Sequence, residues 1–248
     1  MGNQMLSRLM LVVLVVISCL GGSSNASGSD GKVLLEFYSE SLCPYCANFA
    51  VNYLSKFFQN GLIDIVELRV IPYGNARIYG GGDIVCQHGE DECKLNIIQS
   101  CAIHHYPDVT QWFPFFFCLE KLATDLPRNA VFKNWKTCVD TSYVDLDTIN
   151  SCFEGPLGDK LVRGNGAETD SLDPPHKYVP WVVVNGTPLY DEYEDVEKAV
   201  CQAYKGPLSK PTTCNRIGSA SKTLKAGVCT KGLERVGDGS QAERAQYE

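Results

Sequence analysis

Residues 34–54 read "LLEFYSESLCPYCANFAVNYL", and they place Cys43 and Cys46 two residues apart at the join between an apolar run and a helical pattern. That placement constrains the chain more than any other feature. A structural zinc site wants four ligands in close pairs. The chain has no second Cys-x-x-Cys, and adjacent His104 and His105 project in different directions from a helix, so no metal is expected. A Cys43–Cys46 staple would enclose only two residues and would stabilise less than a long closure. Redox exchange explains the position better. Cys43 falls where unsatisfied backbone N–H groups and the positive end of the helix favour a thiolate. Pro44 suits the first helical residue, whose N–H has no helical partner. Cys46 lies one turn in, within reach of a disulfide formed on Cys43. A strand, then Cys-x-x-Cys, then a helix is a redox signature.

The surrounding pattern is α/β. Lys32 to Tyr38 reads as a buried strand, and Phe49, Ala50, Tyr53, Leu54, Phe57 and Phe58 recur at helical spacing until Asn60-Gly61. Leu62 to Ile71 reads as a second strand, and the short connections imply a parallel pair. From Cys86 to Cys152 the chain turns helical, with Leu95, Ile98 and Ala102 on one stripe and Trp112, Phe115, Phe116 and Leu119 on another. Tyr178 to Val184, "YVPWVVV", returns to strand, and Asn185-Gly186 is a strong hairpin signal. Asp191 to Tyr204 closes the pattern as an amphipathic helix. Val179-Pro180, at the start of a late strand, is a candidate cis bond packed beside the cysteine pair, as in thioredoxin-like folds.

Arg8, an apolar Leu9–Leu20 and small residues after Gly21 give residues 1–27 the layout of a secretory signal peptide. The apolar run is shorter than the roughly 20 residues a spanning helix needs, so no membrane span is expected in the mature chain. Of twelve cysteines, Cys19 leaves with that segment. In an oxidising compartment most of the rest belong in disulfides. The candidates are Cys86, Cys93, Cys101, Cys118, Cys138 and Cys152 in the helical middle, with Cys201, Cys214 and Cys229 beyond it. If residues 91–104 form one helix, Cys93 and Cys101 stand about 12 Å apart along its axis. A disulfide needs Cα atoms within about 7 Å, so each should reach a different partner. Asn185-Gly186-Thr187 is an N-glycosylation acceptor. The net charge of −7 argues against nucleic acid as a partner. Residues 205–231 are basic, and 232–248 are polar.

At Cys86 the chain reads "CQHGEDECKLNIIQSC". This resembles the signature of the gamma-interferon-inducible lysosomal thiol reductase family, with Cys86, Gln87, His88, Gly89, Glu92, Cys93, Asn96 and Cys101 at its fixed positions. The resemblance implies a thioredoxin-like fold over residues 32–204 with a cysteine-rich helical insertion at about 75–175, and a C-terminal propeptide within 205–248. It implies reduction of protein disulfides in a lysosome or vacuole, with Cys43 as nucleophile, Cys46 as resolving thiol and Val179 and Pro180 against the substrate. It also implies a small thiol such as cysteine or glutathione as electron donor and no bound cofactor. His88 and Glu92 read as capping and supporting structure. The inner residues of Cys-Pro-Tyr-Cys resemble glutaredoxin more than mammalian members of the family, which bears on reductive strength. A thiol of ordinary pKa near 8.5 is protonated near pH 5, and no Lys, Arg or His flanks the pair. Three alternatives stay open: a glutaredoxin-type enzyme using Cys43 on mixed disulfides, an oxidase or isomerase of the secretory pathway, and a non-enzymatic disulfide-rich secreted binding protein.

Overall fold

The computed structural model describes residues 28–80, 82–217 and 227–231. The leader reading (1–27) and the polar end (232–248) lie outside them.

The chain enters a four-stranded sheet through β1 (Val33–Ser39), which pairs in parallel with β2 (Val66–Pro72) from Val33 opposite Val66 to Ser39 opposite Pro72. Between them run α1 (Pro44–Phe49), a π-turn (Ala50–Leu54) and α2 (Lys56–Gln59). The Ser55 N–H reaches the Ala50 carbonyl at 3.1 Å, which joins these pieces into one helical stretch. The second strand starts later than the alternation suggests. Gly61 takes φ 78°, the Leu62 N–H bonds to Asn60 Oδ1 at 3.2 Å, and Leu62–Ile65 winds into a 3-10 turn. Local turn chemistry at Asn60-Gly61 wins over strand propensity there.

Two short strands follow, β3 (Arg77–Ile78) and β4 (Ile84–Val85), paired antiparallel in one ladder. Then come five helices: α3 (Glu90–His105), α4 (Val109–Asp125), α5 (Arg128–Asn134), α6 (Leu146–Glu154) and α7 (Pro156–Asp170). Asp108 and Asp145 start α4 and α6 by accepting from the Thr110 and Thr148 N–H groups at 2.9 and 2.8 Å. The chain then returns as β5 (Tyr178–Val179), β6 (Trp181–Val184) and β7 (Thr187–Pro188). The run read as one strand is two, because Pro180 has no N–H to give a ladder. Asn185 and Gly186 take φ 46° and 75°, the positive values a two-residue hairpin turn demands. A 3-10 turn (Tyr190–Asp195) leads into α8 (Val196–Ala203), so the helix read over Asp191 to Tyr204 starts later than its pattern suggests. Finally come α9 (Thr212–Ile217) and β8 (Cys229–Thr230).

Sheet order is β2-β1-β6-β7, with β6 antiparallel to both neighbours, and β8 pairs with β5 in a separate ladder. The period of two along β1 sorts its side chains between two cores. Val33, Leu35 and Phe37 enter the large core with Phe49, Phe57, Phe116 and Val196. Tyr38 joins Ile71, Trp181 and Val183 on the opposite face. Phe37 meets Phe49 edge-on at 4.9 Å between ring centres. Burying one such ring stabilises by roughly 1.5–3 kcal/mol. Three disulfides pin the helical middle: Cys86–Cys93, Cys101–Cys152 and Cys118–Cys138. Cys93 and Cys101 take different partners, as the helix geometry requires. Among the described residues, no helix is long and apolar enough to cross a membrane.

Candidate active site

Cys43 is the residue that opens α1. Its backbone is extended (φ −75°, ψ 118°), Pro44 follows as the first helical residue, and the Ala47 N–H closes the first turn on the Cys43 carbonyl at 3.0 Å. Leu42 before it sits in the left-handed region at φ 68°, a conformation that side-chain-bearing residues adopt rarely and that gathers at functional sites. Asn96, on α3, braces this loop by accepting from the Ser41 N–H at 2.9 Å.

Cys43 is bonded to Cys229. Cys214 and Cys229 were each read as candidate staples with no partner assigned; Cys214 bonds Cys201, and Cys229 comes back across the site. Among the described residues, Cys46 is the one cysteine outside a disulfide, and it is buried. Burial first, and then the field of the Glu40 carboxyl, push its thiol well above the ordinary value. The Val179–Pro180 bond is cis and lies at the end of β5, whose Val179 stands opposite Cys229.

A buried acid–imidazole cluster lies under the disulfide. His88 Nδ1 is 2.7 Å from Glu92 Oε2 and 3.6 Å from Glu40 Oε1, and the His88 N–H also bonds Glu92 Oε2 at 2.6 Å. A Glu40 carboxyl oxygen, a His88 ring nitrogen and the Cys229 sulfur converge within 4.8 Å of one another. That sulfur is covalently bonded, so the trio does not present a free thiolate to a metal. Burial dominates the electrostatics and favours the uncharged set. Both carboxyls are pushed up to about 8, and the imidazole is pushed down to about 4. Glu92 reaching back to the His88 N–H fits the expected capping role. His88, with Glu40, also stands within 4.8 Å of the Cys229 sulfur, which its place in the sequence alone does not reveal.

Nothing local marks Glu40 or Asn75 as site residues. The one hint is a charged residue at the end of an otherwise apolar strand. Glu40 Oε2 accepts from the Asn75 N–H at 2.8 Å, and Asn75 in turn donates its side-chain amide to Gln87 Oε1 at 2.8 Å. The remaining predicted residue, Asn185, lies away from this cluster at the hairpin tip, where its Oδ1 accepts from the Leu34 N–H at 2.8 Å.

Solved structures with the same fold include the DsbA of Chlamydia trachomatis, at TM-score 0.53 and 12% identity over 71% of this chain and 88% of that one. Oxidised BdbD of Bacillus subtilis gives TM-score 0.53 and 14% identity over 73% and 91%. A thioredoxin-like sheet carrying a helical insertion, with Cys-x-x-Cys opening its first helix, defines a thiol–disulfide oxidoreductase. Residues 34–142 match the family described as gamma interferon inducible lysosomal thiol reductase. The gamma-interferon-responsive lysosomal thiol protein of Arabidopsis thaliana is 40% identical over 200 residues, 79% of this chain and 82% of its own. The gamma-interferon-inducible lysosomal thiol reductases of Carassius auratus and Mus musculus are 35% and 33% identical over 74% and 77% of this chain, and over 72% and 75% of theirs. The chain belongs to the gamma-interferon-inducible lysosomal thiol reductase family.

Proposed function

We propose that the chain reduces protein disulfides in an acidic lysosomal or vacuolar compartment, with Cys43 as nucleophile and Cys46 as resolving thiol. One observation carries this reading. Cys43 holds a disulfide to an extended segment laid against the Val179–Pro180 corner, while Cys46 waits beneath as a buried thiol. That is the arrangement of a mixed disulfide before resolution.

Cys43 thiolate attacks one sulfur of a substrate disulfide, and the other sulfur leaves and takes a proton. Cys46 gives up its proton, attacks the Cys43 sulfur and expels the second substrate thiol. Two electrons pass to the substrate, and the pair is left as a Cys43–Cys46 disulfide. Two equivalents of a small thiol, such as cysteine or glutathione, return it to the dithiol. Glu40 and His88 stand within 4.8 Å of the position of the leaving sulfur. A carboxyl pushed up to about 8 remains protonated in acid and can donate to that sulfur, directly or through one water. The relatives named lysosomal support the acidic compartment, and the leader and the Asn185 acceptor support the secretory route to it.

The test is reduction of a denatured disulfide protein at about pH 5 and about pH 7.4, spanning the range over which tuned cysteines titrate, with a small thiol supplied. Wild type should be active at acid pH and Cys43→Ser inactive. Cys46→Ser should accumulate the mixed disulfide. Equal rates for wild type and Cys43→Ser would remove the cysteine pair from the mechanism, and activity confined to neutral pH would remove the acidic compartment.

A further inference from the structure

Apart from the Cys229 disulfide, the contacts that hold the segment Gly227–Lys231 fall on its backbone. Cys229 and Thr230 pair antiparallel with Val179 and Tyr178 on one side. On the other, Asn75 Nδ2 donates to the Cys229 carbonyl at 3.0 Å, and Gln87 Nε2 donates to the Thr230 carbonyl at 3.1 Å. The Tyr193 hydroxyl donates to the Gly227 carbonyl at 2.9 Å. A β-carbon at Gly227 would run into the Tyr45 ring, the inner aromatic of Cys-Pro-Tyr-Cys. Asn75 and Gln87 also hold each other, so the two donors form one rigid clamp.

We propose that Asn75 and Gln87, with β5, bind the extended backbone of any cystine-bearing substrate segment, and that Cys229–Thr230 is an internal substrate filling that site. This rests on the reductase reading above and assigns its substrate site. Donors aimed at main-chain carbonyls read no side chain, so the site accepts unfolded segments of diverse sequence. The one sequence preference falls two residues before the cysteine, where Tyr45 must swing aside for anything larger than glycine. While the tail is seated, Cys43 is unavailable to other disulfides. Release is a balanced exchange: Cys46 attacks the Cys43 sulfur, the Cys43–Cys46 bond forms, the Cys43–Cys229 bond breaks, and Cys229 departs with the proton that Cys46 lost. A small thiol then reduces Cys43–Cys46, as in turnover.

The direct readout is the ratio of Cys43–Cys229 to Cys43–Cys46 disulfide, mapped by peptide mass after acid quenching of full-length protein equilibrated in a glutathione buffer. Gln87→Glu keeps the side-chain shape and the partner of Asn75 but removes the donor to Thr230. It should shift the ratio toward Cys43–Cys46 by about three- to tenfold, the worth of one hydrogen bond. Gln87→Ala should do the same and raise KM for a denatured protein more than for a small disulfide, with kcat little changed. A ratio unmoved in both variants, or a KM that rises equally for both substrates, would overturn the clamp. Wild type showing only Cys43–Cys46 would overturn the internal substrate. None of these results depends on Cys43→Ser being inactive, so failure of this site and failure of the reductase reading are told apart.

Discussion

Glu120 tests how this fold stores protons: it makes no bond to either cysteine of the pair, although its field adds to the rise of the Cys46 thiol. It is buried on α4 with Gln99 donating to its Oε1 at 2.6 Å, and burial pushes its carboxyl up to about 8. In the unfolded chain it titrates near 4.5. A carboxyl raised on folding favours the fold fully below the unfolded value and loses that contribution as pH rises through the folded one. Over the window between, stability falls by about 1.4 kcal/mol per pH unit for each such group. From pH 5 to pH 7 the expected loss from Glu120 alone is about 2–3 kcal/mol, since its titration in the unfolded chain is already under way at pH 5. Glu120→Gln keeps the shape and cannot ionise. Urea unfolding at pH 5, 6 and 7 without reductant should show the variant gaining on wild type by that amount across the range. Curves that stay parallel within about 0.5 kcal/mol, well below the expected linkage, would refute a proton held by burial. Glu40 and Glu92 add slopes of the same sign. His88 and His176 oppose them, because both are pushed down to about 4 and cost stability as pH falls below about 6.5. The profile should therefore peak on the acid side of neutrality.

Loop length ranks the structural disulfides. Replacing Cys101 and Cys152 together, which opens a separation of 51, should cost about 4 kcal/mol, against about 2.4 for Cys86 and Cys93 at a separation of 7, read by thermal or denaturant unfolding. Phe37→Ala, which removes the ring between Phe49 and Phe116, should cost about 3–5 kcal/mol in the same assay. Asn185→Ala removes both the bond to the Leu34 N–H and a residue suited to positive φ, so a loss of about 1–2 kcal/mol is expected, and a neutral result would mean that the hairpin does not depend on it.

What could be read from the chain was local. The first strand, the helix opening at Cys43 and the Asn185-Gly186 hairpin each carry their own short-range chemistry, and each is where the pattern places it. Leu62–Ile65 departs because alternation and a turn-forming Asn60-Gly61 compete over the same four residues. The cluster under the sulfurs is different in kind. Glu40, Asn75, His88 and Cys229 come from the end of a strand, a loop, the approach to α3 and the far end of the chain, and only the closed fold brings them together. Cysteine spacing likewise excluded the Cys93–Cys101 bond through helix geometry but left the partners of each open, since six cysteines allow many connectivities. Gln87 stood in a recognisable signature, yet its donation to the Thr230 carbonyl needed the tail in place to be seen.

The Cys43–Cys229 bond spans a separation of 186, tying the first helix to the last described strand. A peptide cut anywhere between Ile217 and Gly227 would leave the severed end still covalently attached. Cleavage by itself would change neither the mass of the non-reduced protein, apart from one added water, nor the occupancy of the cleft. Dissociation of the fragment would then require two independent events, hydrolysis and thiol exchange, in either order. In a protease-rich compartment the nicked enzyme would therefore stay closed until Cys46 displaces the Cys229 sulfur, and only then would the fragment leave.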